Sequence, residues 1–229
     1  MAKGIKHIIS TSYSYLLGRI IERTESEVSP CLEVTHMNGK YMLNSLNSNY
    51  SCGMLQKVFE IEFDKIKLKE RKIKDVLVLG FGAGSVASIL LEDYKMDCNI
   101  TGVEKDEKVI SLGLKYFNTS RFKNTNVINA DAVDFMMQNK ELFDLVVIDV
   151  YVDNLVPQSC ETESFLKQVK KSLHINGLVV FNKMIFDEVS DRSAKRLFET
   201  FSRVMGNCTY HNIQKSHTNM MIEFENIPS

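Results

Sequence analysis

The chain has 229 residues, of which 44% are hydrophobic, enough to bury a full core in one domain with a small appendage. Its 28 Lys and Arg are balanced by 29 Asp and Glu, leaving a net charge of -1, so no global basic field recommends a nucleic acid as partner. Nothing approaches the roughly 20 apolar residues of a membrane helix. Five scattered cysteines, odd in number and without a Cys-x-x-Cys pair, indicate neither a zinc cluster nor a disulfide framework, and read as reduced thiols in a cytoplasm.

The chain begins "MAKGIKHIISTSYSYLLGRII". Lysines precede a mildly apolar stretch, as in a signal peptide, but Ser10 to Ser14 interrupt it and no small-residue cleavage site follows; it is expected to be part of the fold. "CLEVTHMNGKYMLNS" (31–45) then reads as two short strands around Asn38-Gly39, a dipeptide that supplies the positive φ angles of a tight hairpin. In 49–66, Met54, Val58, Ile61 and Ile66 recur at helical spacing. The basic run from Lys65 to Lys74 reads as a solvated helix end. The pattern changes near residue 70, which divides a β-hairpin and helix appendage, 1–70, from a main domain, 71–229.

From residue 75 apolar runs of strand length alternate with helical periods. The predicted strands are 75–80, 99–104, 126–130, 143–150 and 177–182, with helices near 84–94, 106–117, 132–140 and 162–173. Strands joined by crossover helices make a parallel sheet. A further helix over 190–205 leads to two strands, 207–213 and 217–226, with a short connection, expected as an antiparallel hairpin at one sheet edge.

Open parallel sheets bind ligands beyond the carboxyl ends of their strands, so the residues just after each strand are the candidates. Gly80, Gly82 and Gly84 follow the first strand; they either let the backbone approach a ligand beside free helix N–H groups or simply make a tight turn. The dinucleotide pattern needs Gly or Ala where Ser85 stands, and GxxxxGK[ST] is absent. Glu104 ends the second strand 24 positions after Gly80, where a carboxylate can accept both hydrogen bonds of a ribose diol. A nucleoside without a pyrophosphate fits this arrangement. The histidines form no HExxH, and His211 and His217, six apart, suit no shared ligation on a helix; no metal is expected.

Together "VLVLGFGAGSV", "TGVEKDEKVISLGLKYF", "VINADAVDFM", "FDLVVIDVYVDN" and "LKQVKKSLHINGLVVFNK" resemble the S-adenosylmethionine (SAM) dependent methyltransferase fold, most closely its spermidine-synthase branch, over roughly residues 31–183. The resemblance implies a Rossmann-like α/β fold with a mostly parallel seven-stranded sheet. It places Gly80, Gly82, Ala83 and Gly84 under the cofactor, which is SAM or its decarboxylated form, and Glu104, with Lys105 beside it, at the ribose. Asp131 and Ala132 match an Asp-Ala step that meets the adenine, although Asp131 reads equally as a helix N-cap. Asp149 matches the acid that positions and deprotonates an attacking amine, chemistry that a carboxylate beside a cationic cofactor favours; a strand-end cap is its other reading. Tyr151 on the same loop is a second catalytic candidate, with packing as the alternative, and Asn182 reads as a site residue or a turn former. A homodimer joined through the N-terminal hairpin is the oligomer implied.

Departures from the branch bear on the reaction. Spermidine synthases carry an acid in the glycine loop, suited to a decarboxylated cofactor that ends in an ammonium; here Ala83 stands there, and ordinary SAM keeps a carboxylate that an anion would repel. The Asp-Ser-Ser-Asp run after the fourth strand is broken, with Val152 at its end and Asp153 displaced by one, and a Tyr-His-Glu becomes "YSCG". A polyamine dication needs several carboxylates to offset its desolvation. The expectation is therefore a SAM-dependent methyltransferase acting on a small acceptor, with a polyamine aminopropyltransferase and a non-catalytic nucleoside-binding protein as alternatives.

Overall fold

The computed structural model describes residues 18–45, 49–51, 53–215 and 217–228. Most of the N-terminal stretch, 1–17, and Cys52 lie outside the described residues. A first sheet holds β1 (Arg19–Thr24), β2 (Leu32–Met37), β3 (Lys40–Ser45) and β4 (Asn49–Ser51), antiparallel in that order. The hairpin expected around Asn38-Gly39 is present, with both residues at positive φ. It is the middle of a four-stranded sheet, because β1 and β4 add to its two edges.

After α1 (Met54–Lys65) come β5 (Asp75–Leu79), α2 (Ser85–Ser88), β6 (Asn99–Glu104), α3 (Glu107–Phe117), β7 (Thr125–Asn129), α4 (Ala132–Gln138), β8 (Phe143–Ile148), α5 (Glu163–Lys171), β9 (Leu173–Ile185), α6 (Glu188–Met205), β10 (Cys208–Gln214) and β11 (Thr218–Glu225). The second sheet has the order β10-β11-β9-β8-β5-β6-β7. β9, β8, β5, β6 and β7 run parallel, while β11 and β10 close one edge antiparallel. This is the expected Rossmann-like, mostly parallel seven-stranded sheet. Its strand order reverses at β5, which has β6 on one side and β8 on the other, and the crevice for a ligand opens there.

Both faces of the sheet are covered, as a parallel sheet requires. On one face Phe165, Phe181 and Phe201 pack between α5, α6 and the strands; on the other, α1 lays Val58, Phe59 and Phe63 against Val78, Val147 and Val180. Phe59 and Phe63 are wholly buried, each burial being worth about 1.5–3 kcal/mol. The first sheet buries Leu32, Val34 and Leu43 against Val109 and Leu112 of α3.

Two elements differ from the sequence reading. The helix expected over 84–94 is α-helical only to Ser88 and then widens into a π turn, Ile89–Asp93, closed by Tyr94 N–H to Ile89 C=O at 2.8 Å; this lets the consecutive Ile89 and Leu90 both bury. β9 is thirteen residues long, because the positive φ of Asn176 absorbs an irregularity in its pairing with β8 and lets the strand start at Leu173. Arg71, within the basic run, forms a bidentate pair with Glu225 of β11 at 2.8 and 3.1 Å. Among the described residues, no helix is long and apolar enough to cross a membrane.

Gly102 in β6 lies under the ring of Phe81, and a Cβ there would stand 2.4 Å from Phe81 Cδ2. Substitution Gly102→Ala must displace a buried aromatic ring from the loop that opens the crevice. It is expected to destabilise the fold by about 1–3 kcal/mol, read as a lower urea midpoint with an unchanged slope.

Candidate active site

The loop after β5 is built by close approach. Gly80 has φ 84°, and a Cβ on it would stand 2.2 Å from the Asp149 carbonyl oxygen. The Gly80 and Phe81 N–H groups both donate to the Val103 carbonyl, at 2.9 and 3.0 Å, and Asp149 N–H donates to the Leu79 carbonyl at 2.8 Å. The ends of β5, β6 and β8 are thereby drawn around one point.

A cleft opens there, lined among others by Gly80, Gly82, Glu104, Asp131, Asp149 and Tyr151, a mixture of apolar walls and a few convergent polar groups that suits a small molecule. Lys105 and Ala132 also line it. Ala83 and Gly84, expected beneath the cofactor, do not. Ala83 is buried among Leu32, Val34, Val109 and Leu112, and Gly84 abuts Thr119 and Phe122, because the loop turns inward there to start α2.

Glu104 holds the loop. It is nearly buried; its Oε2 accepts from Gly82 N–H and its Oε1 from Asp106 N–H, both at 2.9 Å. Burial raises its pKa, and those N–H groups act against the rise. Each oxygen keeps a further lone pair, so the carboxylate can still accept from a diol. Asp106, which sequence reasoning missed, caps α3 by accepting from Lys108 N–H at 2.9 Å, takes the Ser26 hydroxyl on its other oxygen, and lines the cleft. Its signal was an Asp directly before a helical period.

Asp131 is an N-cap: Oδ1 accepts from Val133 N–H at 2.8 Å, while Oδ2 pairs with Lys105 Nζ at 3.1 Å. Burial opposes its ionisation, but Lys105 and the cap N–H groups prevail and its pKa is lowered. Lys105 is mostly exposed and acts on the cleft through Asp131.

Asp149, after β8, is partly open to the cleft, and Asn182 Nδ2 donates to its Oδ1 at 2.9 Å. Burial raises its pKa to about 7, the Asn182 hydrogen bond opposes the rise, and the charge of Glu104 adds to it. Such a carboxylate is poised as a base near neutral pH. Asn182 is a positioning residue rather than a turn former, since it sits inside β9.

Tyr151, the second catalytic candidate, lines the cleft with its hydroxyl engaged. Its hydroxyl donates to the Asn182 carbonyl and accepts from Met184 N–H, both at 2.9 Å, and burial raises its pKa well above 10. It clamps the loop to β9 and offers the cleft its ring. Asp153 accepts from Ser45 Oγ at 2.6 Å, which joins this loop to the first sheet. Val28 and Leu55 complete the wall from the N-terminal side, and apolar residues so far from the strand ends carried no sequence signal. Cys160 also lines the cleft, its thiol pushed up to about 11 by burial.

Below about pH 4 Asp149 is protonated whether folded or unfolded. As the pH rises to about 7 the unfolded chain releases this proton first, so the folded state loses stability over that window. Asp149→Asn removes the penalty and keeps an acceptor for Asn182. It is expected to be more stable than the parent by on the order of 2 kcal/mol at pH 8, with no difference at pH 4, in paired urea melts.

Comparisons with known proteins bear on the family and the fold. A family model described as "Methyltransferase domain" matches residues 70–226. The chain is 28% identical over 131 residues to a probable polyamine aminopropyl transferase of Bifidobacterium longum, covering 57% of this chain and 29% of that protein. It is 31% identical over 147 residues to an eEF1A lysine and N-terminal methyltransferase homolog of Drosophila melanogaster, covering 60% and 21%. The chain thus spans less than a third of the length of either relative. Among solved structures, a probable spermidine synthase from Corynebacterium glutamicum has the same fold, with TM-score 0.77 and 16% identity over 92% of this chain and 82% of that one. The chain belongs to the methyltransferase-domain family.

Proposed function

We propose that the protein is a SAM-dependent methyltransferase that acts on a small nucleophilic acceptor placed over Asp149. One observation carries the reading. At the end of β8 the cleft presents a single, half-buried carboxylate poised near neutrality, which serves to take one proton. Its neighbours are engaged elsewhere: Asp153 with Ser45, and Glu161 with the buried Lys183. A polyamine dication would need several ionised carboxylates to replace its hydration.

The residues present fit SAM. Gly80 and Gly82 line the cleft with main chain alone, Glu104 keeps lone pairs for a ribose diol, and Asp131 and Ala132 line the same cleft and would meet the adenine. When bound, SAM supplies an electrophilic methyl on a sulfonium. The protein's part is positioning, which alone can supply about 7–11 kcal/mol, together with removal of the acceptor's proton by Asp149 Oδ2 while Asn182 holds Oδ1. The acceptor is a small molecule, and a cytoplasmic setting and a homodimer through the first sheet belong to the same reading.

A second reading, aminopropyl transfer from decarboxylated SAM, is favoured by the aminopropyl transferase relative. The position of Ala83 away from the cleft removes part of the argument against it.

Titration calorimetry with SAM, its demethylated product and decarboxylated SAM separates the two. The first two are expected to bind more tightly, and a ligand at 100 times its dissociation constant stabilises the fold by about 2.7 kcal/mol. Once an acceptor is found, kcat/KM should fall below about pH 7 as Asp149 takes up its proton. Asp149→Asn should lose about 10²–10⁴ in kcat with little change in SAM affinity. Preference for decarboxylated SAM together with turnover of a diamine would establish the second reading.

A further inference from the structure

On the opposite side of α1 from its cleft-lining end, three side chains from distant parts of the chain meet. Glu62 lies in the last turn of α1, His211 in β10 and Glu223 in β11. His211 pairs with Met221 across the hairpin, so His211, Met221 and Glu223 share the sheet face that α1 covers. His211 Nδ1 is in contact with Glu223 Oε1 and lies 3.6 Å from Glu62 Oε2.

The surroundings make this cluster unusual. Glu62 is 0% exposed, in a helix whose neighbouring residues Val58, Phe59 and Phe63 belong to the apolar core with Val180 and Met221. His211 Nδ1 and Glu223 Oε1 face each other, but both Glu62 carboxylate oxygens are buried atoms without a hydrogen-bond partner. Lys65 is the nearby cation, but it is exposed at the helix end and favours the Glu62 carboxylate less than burial and Glu223 oppose it. One imidazole N–H cannot satisfy two carboxylates. Buried polar atoms are otherwise nearly always partnered, so the orphaned Glu62 carboxylate, beside an imidazole and a second carboxylate, calls for a ligand that accepts electron pairs.

We propose that Glu62, His211 and Glu223 form a binding site for a divalent first-row transition ion, with zinc as its natural probe. One ligand atom from each residue lies within 4.8 Å of the others, close to the span of two ligands across one ion at about 2.0–2.2 Å each. An imidazole with two carboxylates is a zinc or manganese donor set; magnesium and calcium prefer all-oxygen sites. His211 and Glu223 keep 25% and 17% side-chain exposure, which leaves a route for the ion and a water as fourth ligand. The ion would tie α1 to the edge hairpin, a structural role remote from methyl transfer. The expectation of no metal, based on His211 and His217, does not see this group, whose members are 149 and 12 positions apart.

The test uses the full chain stripped of metal and titrated with Zn²⁺, with calorimetry, thermal melts and anomalous diffraction at the zinc edge. One ion per chain, a higher melting temperature and an anomalous peak among the three side chains are expected. The affinity should drop by about tenfold or more in His211→Ala and in Glu223→Gln, while Mg²⁺ leaves the melting temperature unchanged. Glu62→Gln is a third variant, and the two less buried positions decide the matter should it not fold. Absence of zinc binding up to about 100 times micromolar levels, binding unchanged in the variants, or a peak at the cysteines overturns the proposal. So does a proton shared between the two carboxylates, seen as Glu62→Gln stabilising a chain that binds no zinc.

Discussion

The contact on which the rest depends is the one between Gly80 and the carbonyl of Asp149. With a side chain at position 80 the first and fourth parallel strands could not end so close together. Because they do, the helix that follows β5 starts beside the loop that follows β8, and the cleft between them takes its walls from both. The hydrogen bonds from Gly80 and Phe81 to Val103, and from Asp149 to Leu79, are main-chain bonds that only this spacing allows. The candidate site groups are then carried at the ends of packed strands.

Around that point, two acids of similar type are given different tasks by their surroundings. Glu104 is deeply buried, but backbone N–H groups engage both of its oxygens, so it organises the loop. Asp149 has one amide donor and a neighbouring anion, and is left near neutrality. Environment, not residue type, divides structural from chemical work, as in other sites where paired carboxylates are pushed apart in pKa.

What could be read from the sequence was whatever depends on local periodicity. The alternation from residue 75 onward set the parallel strands and their helices, and the residues at their carboxyl ends converge on the cleft as expected for Gly80, Gly82, Glu104, Asp131 and Asp149. Orientation was not legible. Whether a residue in a five-residue loop faces ligand or core is decided by tertiary packing, and Ala83 faces the core because α3 and the first sheet present it with an apolar surface. Tyr151 looked chemical because it follows Asp149, yet β9 supplies both partners of its hydroxyl, 31 and 33 positions away. The Glu62, His211 and Glu223 group was invisible for the same reason: helix and hairpin meet only once the sheet has formed.

The link from Ser45 to Asp153 spans 108 positions and joins the first sheet to the loop that shapes the outer half of the cleft. The inner half, at Gly80, Glu104 and Asp131, meets that sheet less directly, through Ala83 packed on Leu32, Val34 and Leu43 and through Ser26 on Asp106. A change at Ser45 can thus move the loop beside Asp149, while the main-chain bonds that join the ends of β5, β6 and β8 involve no residue of the first sheet. The outer rim of the cleft can then change shape at a residue of the first sheet while the strand ends that close its inner end stay bonded to one another.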